Sequence, residues 1–277
     1  MGKKNFILIF VLMMTAFAEV SAQNTYEECI SAGQKAASAD SLEQAEKFFR
    51  KALALSPSDY RNALVFTDLG RVQERMGHDK DAVESYTMAL NSAPLSVPIL
   101  MARANLYLRI GNFNSAYVDY CSVIDVDPNN IEALMFRAYA CMERRDYNSA
   151  KMDYEKVIAK EPDNYTARLG LAVLLQKMNR LNEALEKMEL LVNQYPDKAE
   201  VYSVKADMEV EKKLPELAIM DLSKAVELDP KNRNYVLARA YLYLEQGKKR
   251  LARQDFERAI ELGVDRGSLS EEFKALK

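Results

Sequence analysis

The stretch "VIDVDPNN", Val123–Asn130, indicates how the chain folds, because near-copies of it recur along the sequence. Each copy has an apolar pair, a short polar stretch and then a proline. The prolines concerned are Pro57, Pro94, Pro128, Pro162, Pro196 and Pro230. From Pro94 onward they are spaced by 34 residues, and only the first interval, of 37 residues, departs from that period. A fixed period in this range is the signature of a repeat array.

Counting each repeat so that this proline is its residue 32 divides the chain into seven repeats. They span residues 26–59, 63–96, 97–130, 131–164, 165–198, 199–232 and 233–266, and residues 60–62 are an insertion. Residue 8 of each repeat is glycine or alanine, residue 20 is always alanine, and residue 24 is aromatic or large and apolar. Small residues at 8 and 20 let two helices approach closely, and added methylenes at such a contact cost about 1–3 kcal/mol.

The middle of each repeat carries a break. Residue 15 is a type that accepts a left-handed conformation after a helix in five repeats. These residues are Asp40, Gly77, Gly111, Asn179 and Gly247. The residue before a proline is pushed out of the helical region, so the proline ends the second helix. Each repeat is therefore predicted to be a helix, a tight turn and a second helix.

This pattern resembles the tetratricopeptide repeat family over residues 26–266. The resemblance rests on the 34-residue period and on the small, small, proline pattern at residues 8, 20 and 32. It implies an all-α fold, a right-handed α-solenoid of seven helix-turn-helix repeats.

The C-terminal segment "GSLSEEFKALK", residues 267–277, departs from the repeat. Ser268 and Glu271 have the spacing of a capping box. Leu269, Phe273 and Leu276 fall on one helical face. The segment is predicted to be a capping helix that covers the open end of the array, as such arrays require.

The N-terminus "MGKKNFILIFVLMMTAFAEVSAQ" has the features of a secretory signal peptide over residues 1–22. Its apolar run, Phe6–Ala18, has 13 residues, whereas a spanning helix needs about 20. An uncleaved anchor is the alternative. Cleavage leaves 36 basic and 40 acidic residues, a net charge of −4, which disfavours nucleic acid as a partner. We expect an exported, periplasmic or otherwise extracytoplasmic protein whose mature chain does not insert into a membrane.

Charged residues recur at residues 7 and 23 of repeats three, four, six and seven. The pairs are Arg103 with Asp119, Arg137 with Asp153, Lys205 with Asp221, and Arg239 with Asp255. In the other repeats neither member is present. This co-occurrence predicts salt bridges between the two helices of one repeat, and a functional role is the alternative.

The sequence offers no set of groups for catalysis or metal binding. Its single histidine, His78, follows a turn glycine and is predicted to be a solvated loop residue. The spacing of Cys29, Cys121 and Cys141 matches no zinc or redox motif. A disulfide between Cys121 and Cys141 stays open, although buried thiols are favoured. We predict neither enzymatic activity nor a cofactor.

The family resemblance places binding on a concave groove lined by residues 2, 5, 6, 9, 12 and 13 of each repeat. The candidate partner-binding residues are Arg71, Arg75, Met101, Asn105, Arg109, Met135, Tyr139 and Met142. The middle of this groove is rich in methionine, which suits adaptable contacts. Its first part carries arginines, and its last part carries Asp207, Glu211 and Glu245. Packing between repeats is the alternative role for the apolar members.

Asn105 is singled out because asparagine at residue 9 of this family often bonds the backbone of an extended peptide. A side-chain amide has both a donor and an acceptor for that role. The family's clamp for a terminal carboxylate is absent. We expect a scaffold that binds a peptide or a helix of an envelope protein in the groove. The alternative is an assembly subunit that uses its convex face or its ends, and the partner and oligomeric state stay open.

Overall fold

The structure, a computed structural model, describes residues 25–276, so the predicted signal peptide lies outside it. The chain divides into two compact units, Met1–Arg144 and Arg145–Lys277. The described residues form fifteen α-helices and one short 3-10 helix, without a strand. The division falls in the fourth repeat, between its two helices.

The first unit contains seven helices, two for each of the first three repeats and one for the fourth. They are α1 (Tyr26–Ser38), α2 (Leu42–Leu55), α3 (Asn62–Arg75), α4 (Asp79–Ser92), α5 (Val97–Arg109), α6 (Phe113–Val126) and α7 (Ile131–Glu143). Each helix packs against the next along the chain. This serial packing confirms the predicted helix-turn-helix repeats.

The second unit contains the other helix of the fourth repeat and the remaining three repeats. Its helices are α8 (Tyr147–Lys160), α9 (Tyr165–Lys177), α10 (Leu181–Gln194), α11 (Ala199–Glu211), α12 (Pro215–Leu228), α13 (Arg233–Glu245) and α14 (Lys249–Glu261). A 3-10 helix (Arg266–Leu269) and α15 (Ser270–Ala275) follow. Here too, consecutive helices of the repeats pack serially.

The stretch Val123–Asn130 contains the end of α6 and the N-cap of α7. The amide of Asp127 donates to the carbonyl of Val123 at 2.8 Å and closes the last turn of α6. Three residues later, the Asn130 side chain accepts from the amide of Ala133 at 3.0 Å and caps α7. Asn164 caps α9 in the same way. The asparagine two residues after the proline is therefore an N-cap, and asparagine is one of the residues preferred at that position.

The turn inside each repeat has a positive φ at residue 15. The five residues predicted for this conformation adopt it, with φ between 59° and 77°. Arg145 and Lys213 occupy the same position in repeats four and six, with φ of 60° and 61°. These two were not predicted, because a side chain with a Cβ is sterically disfavoured in the left-handed region.

The small residues of the repeat are fully buried where two helices meet. A Cβ built on Gly33 would lie 2.7 Å from the ring of Phe49, and one on Gly70 would lie 2.8 Å from the ring of Tyr86. In these two repeats residue 8 is therefore glycine because the aromatic residue 24 of the same repeat lies directly against it. In this position added atoms would force the two helices apart.

The C-terminal helix covers the last repeat with the predicted apolar residues. Leu269 and Leu276 are buried, and Phe273 packs against Phe256 with the ring centroids 6.1 Å apart. The predicted capping box is wrong. Ser268 instead donates its amide to the Asp265 side chain at 2.9 Å, so Asp265 caps the 3-10 helix. An extra turn thus precedes the terminal helix.

Candidate functional site

The first helices of successive repeats are joined directly by side-chain hydrogen bonds. In the first unit, Gln34 of α1 donates to Asp68 of α3 at 3.1 Å. In the second unit, Gln176 of α9 donates to Glu211 of α11 at 2.7 Å. The surface that these helices present in each unit is called the first-helix face. It carries the residues predicted to line the groove.

Arg75 on this face is engaged with the preceding repeat. Its guanidinium donates to the carbonyl of Ala37 at 2.9 Å and to the carboxylate of Asp40 at 2.7 Å. It thus binds the C-terminal end of α1, where carbonyl groups lack helical partners. Arg75 was predicted to bind a partner, but these contacts give it a role in joining repeats one and two.

Arg109 repeats this arrangement one repeat further on. Its guanidinium lies 3.2 Å from Glu74 Oε1 and 3.0 Å from Asp79 Oδ1. Glu74 also accepts from the hydroxyl of Tyr86 at 3.0 Å. Burial, followed by the charge of Glu74, raises the pKa of Tyr86. Arg109 therefore belongs to a bonded cluster that spans repeats two and three.

Arg71 is the most exposed of the three predicted arginines, with 59% of its side chain accessible. Together with Glu74, Arg75 and Arg109 it lines an open cavity of about 420 Å³. The nearest carboxylate oxygen, on Asp68, is 3.7 Å from Arg71. Because every arginine here has a carboxylate beside it, this part of the face is polar but not strongly positive. The expected basic first half is therefore largely neutralised.

Asn105 is half-buried, and its side-chain oxygen accepts a hydrogen bond from a residue of the same repeat. The hydroxyl of Tyr120 donates to Asn105 Oδ1 at 2.5 Å. Burial raises the pKa of Tyr120, so this hydroxyl stays a donor at neutral pH. The Asn105 amide nitrogen keeps its donor capacity. The bond from Tyr120 occupies one of the two lone pairs of the oxygen, so the donor is the less engaged of the two hydrogen-bonding functions predicted for a peptide backbone.

The apolar candidates differ in how much surface they offer. Tyr139 is 44% exposed and makes an edge-on contact with Phe113, with the ring centroids 6.4 Å apart. Met135 and Met142 are half-buried. Met101 is only 9% exposed and belongs to the core. Among the apolar candidates, Tyr139 and the two half-buried methionines therefore offer the accessible surface.

The first-helix face of the second unit is acidic, as the sequence predicts. Asp207 is exposed, and Glu211 accepts the bond from Gln176. Glu245 is exposed. Tyr241, 39% exposed, donates weakly to Glu272 of the C-terminal helix at 3.3 Å. Acidic and aromatic groups thus lie together on this face.

The predicted salt bridges at residues 7 and 23 form inside repeats three and seven. Arg103 makes two bonds of 2.8 Å to Asp119, and Arg239 makes bonds of 2.7 and 2.9 Å to Asp255. All four side chains are at most 18% exposed. This two-point geometry in a largely buried place identifies a structural role. Arg137 and Asp153 belong to different units, and their pairing stays a prediction.

A third member of these bridges was missed from the sequence. Arg103 also donates to Thr87 at 2.9 Å, and Arg239 to Ser223 at 3.2 Å. Thr87 and Ser223 are both residue 25 of the preceding repeat. The residue-7 arginine therefore links two repeats, and the recurrence of a polar residue at 25 was the signal that could have revealed it.

Lys205 forms a denser version of the bridge in repeat six. Its ammonium lies 3.0 Å from Asp221, 3.1 Å from Glu189 and 3.6 Å from Glu209. Glu209 is only 3% exposed. Burial, together with the charge of Asp221, raises the pKa of Glu209 to about 7. One cation faces three carboxylates in this cluster. Glu209 is therefore the carboxylate that is protonated most readily.

The structure also places His78 and the three cysteines. His78 is exposed at the start of α4. No disulfide joins the three cysteines, all of which lie within the described residues. Cys29 and Cys141 are buried. Between residues 25 and 276, no group of His, Cys, Asp or Glu side chains could hold a metal ion.

Comparison with known families now identifies the chain. Models of the tetratricopeptide repeat match residues 97–130, 142–208, 199–232 and 235–262, more than half of the sequence. Two of the matched ranges, 97–130 and 199–232, coincide with repeats three and six. The chain belongs to the tetratricopeptide repeat family.

Solved structures agree with this assignment. A tetratricopeptide repeat protein from Parabacteroides merdae is 27% identical with a TM-score of 0.70, covering 91% of this chain and 98% of its own. MamA from Desulfovibrio magneticus is 22% identical, with a TM-score of 0.53 and coverages of 60% and 94%. YrrB, described as having an unusual peptide-binding site, is 17% identical, with a TM-score of 0.54 and coverages of 69% and 96%. The last two show the fold alone.

No curated protein sequence gives a significant match to this chain. Among the helices of residues 25–276, none is long and apolar enough to cross a membrane.

Proposed function

We propose that this tetratricopeptide repeat protein is a non-catalytic, exported scaffold that binds a peptide or helix of another envelope protein on its first-helix face. Protein-protein interaction is the function that its family and fold indicate. The observation that carries the choice of face is the accessible Tyr139, which lies on α7 with the half-buried Met135 and Met142.

The chemistry of this face fits a partner with apolar side chains on a polar backbone. Tyr139 supplies aromatic area at a small entropic cost, which makes tyrosine a frequent interface anchor. The methionine side chains adapt to the shape of what they contact. The amide nitrogen of Asn105 can donate to a carbonyl of an extended segment, because its oxygen is already bonded to Tyr120.

A second candidate function uses the opposite helices. Val118, Met152 and Met220 are 60%, 70% and 66% exposed, and each is residue 22 of its repeat. They lie on the second helices α6, α8 and α12. An assembly subunit would use such residues for contacts on the outer surface. The two functions predict different contact residues on the same chain.

Site-specific photo-crosslinking in the native host separates them. A photoreactive amino acid replaces Tyr139 or, as the matched exposed control in the same unit, Val118. Tyr241 and Met220 give a second matched pair within the other unit. Crosslinks to one defined protein from Tyr139 or Tyr241 support the first-helix face. The same protein captured from Val118 or Met220 and not from the tyrosines would replace this proposal with the assembly subunit.

Export is tested separately on the protein isolated from its host. Cleavage after Ala22 leaves Gln23 as the first residue, which N-terminal mass spectrometry detects directly. A chain that retains residues 1–22 would contradict the signal peptide.

A further inference from the structure

Repeat five lacks the cation and carboxylate that join the two helices of repeats three and seven. Its residue 7 is Leu171, and its residue 23 is Lys187. Leu171 is 8% exposed, so an apolar side chain fills the place where Arg103 lies in repeat three. Lys187 occupies the position of Asp119.

Leu171 and Lys187 line an apolar cavity of about 170 Å³ in the second unit. It opens between the second helices α8 and α10, with α9 beneath them. Its lining residues are Ile158, Arg168, Leu171, Lys187, Leu190 and Leu191. Leu190 stands at the mouth with 59% of its surface exposed. The size matches one side chain, since an apolar cavity of about 150 Å³ accommodates a benzene ring.

The rim of the cavity is positively charged. Lys187 has no ion-pair partner among the described residues. Arg168 bonds the side-chain oxygen of Gln194, and its nearest carboxylate is that of the highly exposed Asp163, at 3.9 Å. Two cations therefore flank an apolar opening, and their charged neighbours within the chain include Asp163 for Arg168 and Glu183 for Lys187.

We propose that this cavity is a second docking site, which accepts one leucine or phenylalanine side chain of a protein segment with carboxylates beside it. The apolar side chain fills the cavity, and the flanking carboxylates face Lys187 and Arg168. Charge complementarity at a rim sets which partners are accepted. None of the lining residues holds a groove position of the repeat, so the site is separate from the first-helix face.

The test titrates the mature chain with three short peptides and follows methyl signals by NMR. The probes are acetyl-Asp-Phe-Asp-amide, acetyl-Lys-Phe-Lys-amide and acetyl-Asp-Ala-Asp-amide. The acidic phenylalanine peptide is expected to shift the methyls of Ile158, Leu171 and Leu190 while leaving that of Val173, on the groove side of α9, unchanged. The basic peptide and the alanine peptide are expected to bind much more weakly. Equal affinities for the acidic and basic peptides would overturn the proposal.

Two variants at the cavity and one control variant make the test specific. Leu190→Trp, at an exposed position, places a large ring over the cavity and is expected to abolish the shifts without unfolding the chain. Lys187→Glu is expected to weaken the acidic peptide about fivefold, the effect of one exposed ion pair. Lys177→Glu makes the same charge change on the groove side of α9 and is expected to have no effect. Binding that responds equally to both lysine changes would contradict a site at the cavity.

The result is independent of the proposed function. If the peptides do not bind at the cavity, the crosslinks from Tyr139 are still expected. If those crosslinks are absent, the methyl shifts caused by the peptides are still expected.

Discussion

The buried bridge of repeat three yields a prediction whose magnitude follows from its geometry. The change is Asp119→Ala, which removes a carboxylate that accepts two bonds of 2.8 Å from Arg103. The Arg103 side chain is 17% exposed and that of Asp119 is 4% exposed. After the change, the guanidinium keeps only its bond to Thr87 and cannot turn fully to solvent.

The expected cost is about 2–4 kcal/mol in the free energy of unfolding. Breaking a buried pair by removing one partner costs about 3–5 kcal/mol, whereas an exposed pair is worth at most about 1 kcal/mol. The residual exposure of Arg103 and its bond to Thr87 place this pair between the two. Alanine is also the better helix former, so the helix propensity works slightly against the effect.

Urea unfolding of the mature chain, followed by far-UV circular dichroism at neutral pH, measures this cost. The matched control is Glu261→Ala, which removes an exposed ion pair with Arg258 at 2.9 Å. We expect the control to change the free energy by no more than about 0.5 kcal/mol. Combining Arg103→Met with Asp119→Leu is expected to recover most of the lost stability, because an apolar pair leaves no buried charge without a partner.

A cost for Asp119→Ala no larger than that of the control would refute the reasoning. It would mean that the bridge contributes little, despite its burial and its two-point geometry. A double variant less stable than Asp119→Ala alone would contradict the idea that the unpaired arginine is the source of the loss.

Three further predictions concern the second unit. Burial and the charge of Asp221 raise the folded-state pKa of Glu209, so its stabilising contribution is present below pH 4.5 and is lost as the pH rises through about 7. Glu209→Gln should therefore match the parent in acid and exceed it above neutral pH by up to about 3 kcal/mol, as read from urea unfolding across pH. Lys213→Gly should raise the unfolding free energy by up to about 1 kcal/mol, since it relieves a positive φ, and a lower melting temperature would count against this. Gly170→Ala should cost about 1–3 kcal/mol in the same assay, because its Cβ would lie 2.7 Å from the Tyr154 ring; an unchanged midpoint would disagree.

Much of the fold could be predicted from the sequence because the repeat imposes the same contacts seven times. The proline, the small residues and the turn residue each have one structural reason, and that reason recurs with the period. The pairs Arg103 with Asp119 and Arg239 with Asp255 were also predictable, because their members occur together and are absent together.

The positive φ at Arg145 and Lys213 could not be predicted from residue type, because the repeat imposes that conformation against the preference of the side chain. The capping box at Ser268 was wrong for a related reason. Asp265, which precedes the segment, captures the amide of Ser268 and starts a 3-10 turn first. Sequence spacing alone does not show whether the amide of Ser268 donates to Asp265 or to Glu271.

The candidate site was harder to predict than the fold. Residue numbers within the repeat place side chains on a face, but they do not say which of them the chain itself engages. Arg75 and Arg109 lie on the first-helix face and yet bond the preceding repeat. The cavity beside Leu171 was also missed, because an absent salt bridge leaves no motif in the sequence.

The most direct test of the central claim is the affinity of the crosslinked partner, once purified, for three forms of the mature chain. Isothermal titration compares the parent with Tyr139→Ala and with the outer-surface variant Val118→Ala. The first-helix face predicts that Tyr139→Ala weakens binding about tenfold or more, as aromatic anchors do, while Val118→Ala leaves it within about twofold. Full affinity in Tyr139→Ala together with a loss in Val118→Ala would contradict the claim and assign binding to the outer surface.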